Sequence, residues 1–315
     1  MDLRKKRMAK EKILISPGSF AEFDPAPVDI LQEKNLELIF NPYRRKLTPD
    51  ELVDLGLGCA GLIAGVESLN AEVLSRLGKI KVISRCGAGL DNVDLTKAKE
   101  LNIKVYNTPD APTLAVAELT IGLMLCLLRK ISLMDRQLRQ GKWSKLMGQL
   151  LTGKKVGIIG MGRIGKKVAE LLKAFEVELY YTDIKHAGPG DPAATKCELE
   201  ELLNTVDIVT IHIPYDIKNE YLIDAKMISL LKKESILINC SRARIVDEAA
   251  LYTALKEGKI AAAGLDVFEQ EPYCGPLKEL DNVILTPHIG SYARESRIKM
   301  EEEASLNLLK GLGYA

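Results

Sequence analysis

Three side chains in the second half of the chain, Arg242, Glu271 and His288, have types that could act together on a small keto acid. Arg242 follows the apolar run at 236–239, and a guanidinium grips a carboxylate through two parallel hydrogen bonds. His288 stands in Thr286-Pro-His-Ile-Gly290, directly after another apolar run, and imidazole is the natural proton donor or acceptor near neutral pH. Glu271 precedes Pro272, and a carboxylate beside an imidazole favours its protonated form. Taken singly, each has a plainer reading: a histidine after a strand is by default structural, and Arg242 and Glu271 would be surface charges. The chain holds only three histidines. His186 falls in a polar loop where solvent exposure is expected. His212 ends an apolar run beside Pro214, so it either lines a cofactor site or is hydrogen-bonded in the core.

The cofactor is suggested at mid-chain by Lys155-Val-Gly-Ile-Ile-Gly-Met-Gly-Arg-Ile-Gly-Lys166. Residues 156–159 form a short apolar strand. Gly160 allows a tight turn, Gly162 lets backbone approach a pyrophosphate, and Gly165 lets the following helix pack on the strand. Arg163 and Ile164 open that helix, whose free N–H groups face the phosphates. Asp183 lies about 20 residues further on, at the end of the next predicted strand (178–182), where a carboxylate accepts both ribose hydroxyls and repels a 2′-phosphate. The pattern predicts a dinucleotide site that favours NAD over NADP.

Basic and acidic residues nearly cancel, 44 against 43, which argues against a nucleic-acid or anionic-membrane binder. The N-terminal Arg4-Lys5-Lys6-Arg7, with Lys10 and Lys12, is followed by too short an apolar run for a signal peptide and reads as a solvated tail. The longest apolar stretch, 119–128, is interrupted by Thr120 and bounded by charges, so a buried helix is expected and not a membrane span. The six cysteines show no paired or metal-ligand spacing; they suit a reducing cytoplasm, and no metal site is expected. Cys126 reads as a core residue. Cys86 and Cys240 lie near ligand-binding loops without a base to activate them.

Positioning these groups requires elements that end at the same edge. Apolar runs at 13–15, 36–40, 61–64, 81–84 and 103–106 alternate with helical patterns, one started by the capping box Thr48-Pro49-Asp50-Glu51. After a long helix at 113–129 and a loop containing Trp143, the alternation resumes at 156–159, 178–182, 207–211, 235–239, 261–264 and 283–285. The expected class is α/β with two doubly wound parallel sheets: a Rossmann dinucleotide-binding domain at 109–289 and a discontinuous flavodoxin-like substrate domain at 1–108 plus 290–315. The closing helical segment, 291–312, has no strand of its own and is expected to return to the first domain. Ligands in such sheets bind at the carboxyl ends of strands, which is where the candidate residues fall.

Ile83-Ser-Arg-Cys-Gly-Ala-Gly-Leu-Asp-Asn-Val-Asp94, Asn107-Thr-Pro109 with Val116-Ala-Glu-Leu119, the glycine fingerprint, Asn239-Cys-Ser-Arg-Ala-Arg-Ile-Val-Asp-Glu248, Gly264-Leu-Asp-Val-Phe-Glu-Gln-Glu-Pro272 and Thr286-Pro-His-Ile-Gly290 together resemble the D-isomer-specific 2-hydroxyacid dehydrogenases. The likeness is strongest to phosphoglycerate dehydrogenases and covers roughly 12–312. It implies Arg242 as carboxylate anchor, Glu271 as tuner and His288 as proton donor. It further implies that Asp266 bonds the nicotinamide amide, that Ala88, Ile213, Cys240 and Ser241 line the cofactor, and that the backbone of Gly87, Ala88 and Gly89 meets the substrate carboxylate. His212, Pro214 and Gly290 complete the expected cofactor shell. The implied partner is a small 2-hydroxy or 2-keto acid, and the implied assembly a homodimer built on the long helix and the Trp143 region.

Departures qualify the likeness. Many phosphoglycerate dehydrogenases carry an arginine where Gly65 stands in Ile63-Ala-Gly-Val-Glu67, and that cation helps hold the substrate phosphate. Ala243 replaces a usual glycine, with Arg244 beside it. The chain ends at Ala315, so the carboxyl-terminal regulatory domains of longer relatives, and serine feedback through them, are not expected. Arg45, in Asn41-Pro-Tyr-Arg-Arg-Lys46, is the candidate to hold a distal anion, set against a solvated basic loop. A rival reading from another class is a non-enzymatic NAD-sensing corepressor-like protein, since fold alone does not fix function.

Overall fold

The computed structural model describes residues 10–185, 188 and 192–314; the basic run at 4–7 and His186 lie outside them. The chain divides into two compact units, Met1–Pro112 with Ser291–Ala315, and Thr113–Gly290.

In the first unit β1 (Lys12–Ile15), α1 (Ala26–Gln32), β2 (Glu37–Phe40), α2 (Pro49–Gly56), β3 (Gly61–Ala64), α3 (Ala71–Leu77), β4 (Val82–Arg85), α4 (Leu95–Glu100) and β5 (Lys104–Asn107) alternate. The strands form a parallel sheet ordered β2-β1-β3-β4-β5, so the chain reverses its direction of travel between β1 and β3. Successive strand side chains point to opposite faces, and both faces are covered. Leu14, Leu62 and Ile83 join one apolar cluster, while Ile13, Ile15, Ile63 and Val82 join the other. The Thr48 hydroxyl accepts from the Glu51 N–H and the Glu51 carboxylate accepts from the Thr48 N–H, which is the capping box expected at the start of α2.

In the second unit α5 (Thr113–Leu128) and α6 (Ile131–Arg139) precede β6 (Lys155–Ile159), α7 (Arg163–Leu172), β7 (Glu178–Thr182), β8 (Thr195–Lys196), α8 (Leu199–Thr205), β9 (Ile208–Ile211), α9 (Ala225–Ser229), β10 (Ile236–Asn239), α10 (Glu248–Lys256), β11 (Ala262–Leu265) and β12 (Val283–Leu285). The parallel sheet is ordered β12-β11-β10-β9-β6-β7-β8, with its reversal between β6 and β9. Every residue of β9, β10 and β11 is buried, because helices cover both faces. The last helix, α11 (Arg294–Leu312), packs on α1, β3, β4 and β5 of the first unit. It also fastens that unit's first loop: buried Glu301 accepts the Ala21 N–H (2.9 Å) and pairs with buried Arg297.

Two elements depart from the sequence expectation. A two-residue strand, β8, adds an edge to the second sheet. The single helix expected at 113–129 ends at Leu128, and Lys130 turns the chain with φ +53° into the separate helix α6.

Candidate active site

At the carboxyl end of β6 the three glycines do distinct work. Gly160 has φ +96°, and a Cβ there would fall 2.7 Å from the His212 carbonyl oxygen and 2.5 Å from Ile213 Cγ2. This is the tight turn, made against the residues that follow β9 across the sheet's reversal point. A Cβ on Gly165 would lie 2.0 Å from the Gly160 carbonyl oxygen, so only glycine lets α7 seat this close to the strand. Gly162 is the N-cap of α7; it offers no capping side chain, and its Cβ position meets nothing within 4 Å. The first turn of a ten-residue helix thus presents backbone N–H groups beneath open space, the arrangement that receives a phosphate.

Asp183 follows β7, the strand paired with β6. Its Oδ2 accepts the Met161 N–H of the glycine loop (2.7 Å) and its Oδ1 the Lys185 N–H (2.8 Å). Strand, glycine loop, uncapped helix and acid fit the adenosine diphosphate half of a dinucleotide.

Arg242, Glu271 and His288 all belong to the second unit, on loops after β10, β11 and β12. His288 Nδ1 faces both oxygens of Glu271, at 2.9 and 3.1 Å. With the carboxylate on Nδ1, that nitrogen carries its proton toward Glu271 and Nε2 is the position that can exchange one. His288 has φ +55°, a left-handed conformation that costs a non-glycine residue about 1–3 kcal/mol and needs its surroundings to hold it.

Asp266 supplies that hold. It is 1% exposed, and its Oδ1 accepts the Ile289 N–H (2.8 Å) and the Thr286 hydroxyl (2.6 Å) while Oδ2 accepts the Gly290 N–H (2.7 Å). Burial pushes its carboxyl up, against the pull of the Thr286, Ile289 and Gly290 donors. Asp266 therefore fixes the His288 loop from β11, a job the sequence reading did not give it.

Asn239, 1% exposed at the end of β10, does the same for Arg242. Its Oδ1 accepts the Ser241 N–H (3.0 Å) and hydroxyl (2.7 Å), and its Nδ2 donates to the Arg242 carbonyl (2.9 Å). The Arg242 Nη1 donates to the Ser241 carbonyl at 2.8 Å. Neighbouring Arg244, the extra cation of the motif, is exposed and pairs with Glu220 at 3.0 Å.

His212 Nε2 lies 2.9 Å from the Thr210 hydroxyl, and its Nδ1 is enclosed with no partner among the described residues. Burial pulls its imidazole down to about 3, so it is neutral and no rival to His288 as a proton donor. Burial likewise pushes the Cys86 and Cys240 thiols up to about 12, which leaves neither as a nucleophile.

In the first unit Gly87 has φ +143°, and a Cβ there would strike Arg85 Nη1. Its N–H donates to the Thr108 hydroxyl (2.8 Å), and Asn107 Nδ2 donates to the Ala88 carbonyl (2.6 Å). Asn107 and Thr108, at the end of β5, thereby shape the Gly87, Ala88, Gly89 loop. Arg45 is exposed; its guanidinium grips Glu51 with Nη1 at 2.8 Å and Nη2 at 2.6 Å, and lies over the Tyr43 ring. The pair lowers Glu51 to about 2 and commits Arg45 to the start of α2.

The chain is similar to known proteins over much of its length. Residues 121–290 match the family model described as the D-isomer specific 2-hydroxyacid dehydrogenase, NAD binding domain. A D-3-phosphoglycerate dehydrogenase of Methanocaldococcus jannaschii is 43% identical over 72% of this chain and 44% of its own length. A glyoxylate reductase of Thermofilum pendens is 41% identical over 77% of this chain and 75% of its own. The chain thus spans under half the length of the first relative and three quarters of the second. Among solved structures, D-lactate dehydrogenase from Aquifex aeolicus, complexed with NAD and lactic acid, is similar with a TM-score of 0.83 and 28% identity over 96% of each chain.

Proposed function

The chain belongs to the D-isomer specific 2-hydroxyacid dehydrogenase family, and on that premise we propose that it transfers a hydride between NAD(H) and the α-carbon of a small D-2-hydroxy or 2-keto acid. The observation that carries this reading is the bidentate seat of His288 Nδ1 on Glu271, on a loop pinned by buried Asp266.

In the reducing direction Arg242 aligns the keto acid by its carboxylate. The nicotinamide, when bound, supplies the hydride that goes to the carbonyl carbon. His288 gives its Nε2 proton to the carbonyl oxygen, and Glu271, facing Nδ1, holds the ring in that orientation. Asp266, Ile213, Cys240 and Ser241 of the second unit serve the cofactor's nicotinamide side. Asp183 selects NAD, because its carboxylate takes ribose hydroxyls and repels a 2′-phosphate.

The assembly we infer is a homodimer made by the second unit. Trp143, Met147 and Leu150 are 81%, 89% and 69% exposed in a segment without regular structure, and the Gln149 N–H fastens that segment to the Leu128 carbonyl at the end of α5 (2.9 Å). Large apolar side chains grouped in this way mark a protein interface. No helix among the described residues is long and apolar enough to cross a membrane. The free cysteines fit a reducing compartment, and we place the protein in the cytoplasm.

NADH oxidation measured with glyoxylate, pyruvate, hydroxypyruvate and 3-phosphohydroxypyruvate tests the reading. At least one is expected to turn over, and His288→Gln should lower kcat by about 10²–10⁴-fold with little change in NADH affinity. Tight NAD binding with no turnover of any keto acid would instead mark a nucleotide-binding protein. The same assay with NADPH, on the wild type and Asp183→Ala, reads cofactor choice: the variant should lose preference for NADH, and an unchanged preference removes Asp183 from the role.

A further inference from the structure

Glu67 has no place in the chemistry above, yet it is 3% exposed. It follows β3, the central strand of the first unit, which meets β1 at the sheet's reversal point. Ligands of open α/β sheets bind at such points, outside the carboxyl ends of the strands. A buried carboxylate is costly unless it is well partnered. Glu67 Oε2 accepts the Gly65 N–H at 2.8 Å, but among the described residues Oε1 takes no hydrogen bond and Glu67 forms no ion pair. Oε1 therefore keeps its capacity to accept a hydrogen bond.

The position of this oxygen is fixed relative to the expected substrate loop. Asn92 Nδ2 donates to the carbonyls of Gly65 (3.3 Å) and Glu67 (2.6 Å), and Leu69 bridges to Val93. The loop after β3 is therefore fastened to the loop after β4, which carries Gly87, Ala88 and Gly89. Gly65 sets no side chain against the carboxylate: even a Cβ there would stand 3.2 Å from both Glu67 oxygens and 3.5 Å from Pro17 Cγ. Where a cation would suit a distal phosphate, this chain has no side chain at 65 and an acid two residues on.

Resting on the dehydrogenase reading, we propose that Glu67 reads the far end of the substrate. It accepts a hydrogen bond from a distal hydroxyl and disfavours a distal phosphate by like-charge repulsion. The favoured substrates are then short hydroxylated acids without a phosphate ester.

The test compares kcat/KM with NADH for pyruvate, hydroxypyruvate and 3-phosphohydroxypyruvate, which differ only at the third carbon. Wild type should favour hydroxypyruvate over the phosphorylated acid. Glu67→Gln retains an oxygen for the Gly65 N–H and removes the charge. It should narrow the gap between those two substrates by about 10–150-fold, the worth of a charge-assisted contact, while pyruvate changes less than about twofold. Calorimetric binding of D-glycerate and 3-phosphoglycerate to the protein with NAD reads the same preference without turnover, so absence of turnover would count against the dehydrogenase reading alone. Wild-type preference for the phosphorylated acids, or equal changes for all three keto acids in Glu67→Gln, would overturn the assignment.

Discussion

At the scale of single residues, His212 and His288 show how environment divides two imidazoles between different tasks. His288 sits exposed against Glu271, whereas His212 is half-buried overall with its Nδ1 enclosed and only Thr210 as a partner. Burial holds the folded His212 at about 3, below the ordinary histidine value of 6.5. The unfolded chain therefore takes up a proton that the folded chain refuses, and the stability tied to neutral His212 is complete above pH 6.5 and lost as pH falls toward 3. In denaturant unfolding, His212→Gln should lower the midpoint at pH 7.5, and the gap to wild type should shrink or reverse at pH 4.5. Carboxylates such as Glu51, held low by Arg45, lose stability in both proteins and cancel in the comparison. A gap that stays constant with pH would show that the fold does not hold this imidazole neutral. Arg45 carries a lesson about reading charge: the sequence places it near a strand end, but its bidentate partner, Glu51, is the acid of the capping box that the same sequence displays.

At the scale of elements, strands and motifs were legible because they rest on local pattern. The runs at 61–64, 178–182 and 283–285 coincide with β3, β7 and β12, while several others start one residue early, because an apolar run marks burial and a strand marks ladder hydrogen bonds. β8 was illegible because Thr195 and Lys196 are polar and short, whereas α6 does carry Ile131, Met134 and Leu138 at helical spacing, of which Ile131 and Leu138 face outward. Illegible too were Glu67 and the hold of Asp266 on the His288 loop, since both depend on which backbone N–H groups the fold brings to a carboxylate. The glycine loop joins local pattern to function most directly, and its glycines predict opposite failures. Gly165→Ala places a Cβ 2.0 Å from a backbone oxygen, so α7 must shift, and both melting temperature and NADH affinity should fall. Gly162→Ala meets nothing within 4 Å, so the protein should melt as wild type but bind NADH more weakly, because the methyl group enters the space over the helix N-terminus. Thermal denaturation and NADH fluorescence titration of both variants check this. A Gly162→Ala protein with wild-type affinity would remove that space from the cofactor site.

At the scale of the whole molecule, the second unit has more apolar surface than its own fold uses. Within Thr113–Gly290, α5 buries one side against α7, β10 and β11, yet Leu119, Leu125 and Leu127 remain half-buried. Beyond α6 the chain runs without regular structure to Leu151, which returns to the core, and exposes Trp143, Met147 and Leu150 on the way. Fully burying one large apolar side chain is worth about 1.5–3 kcal/mol, so leaving three such residues in water forfeits a sum comparable to a whole domain's net stability. A second copy of the same unit would cover them, since a two-fold contact sets one patch against its own image. Light scattering on the eluting protein should give twice the chain mass at micromolar concentration. Trp143→Glu with Met147→Glu should give the single-chain mass with circular dichroism unchanged, because neither side chain belongs to the apolar clusters of the second unit. A wild-type protein that elutes with the single-chain mass would refute the dimer, and a double variant that stays dimeric would move the interface away from this segment.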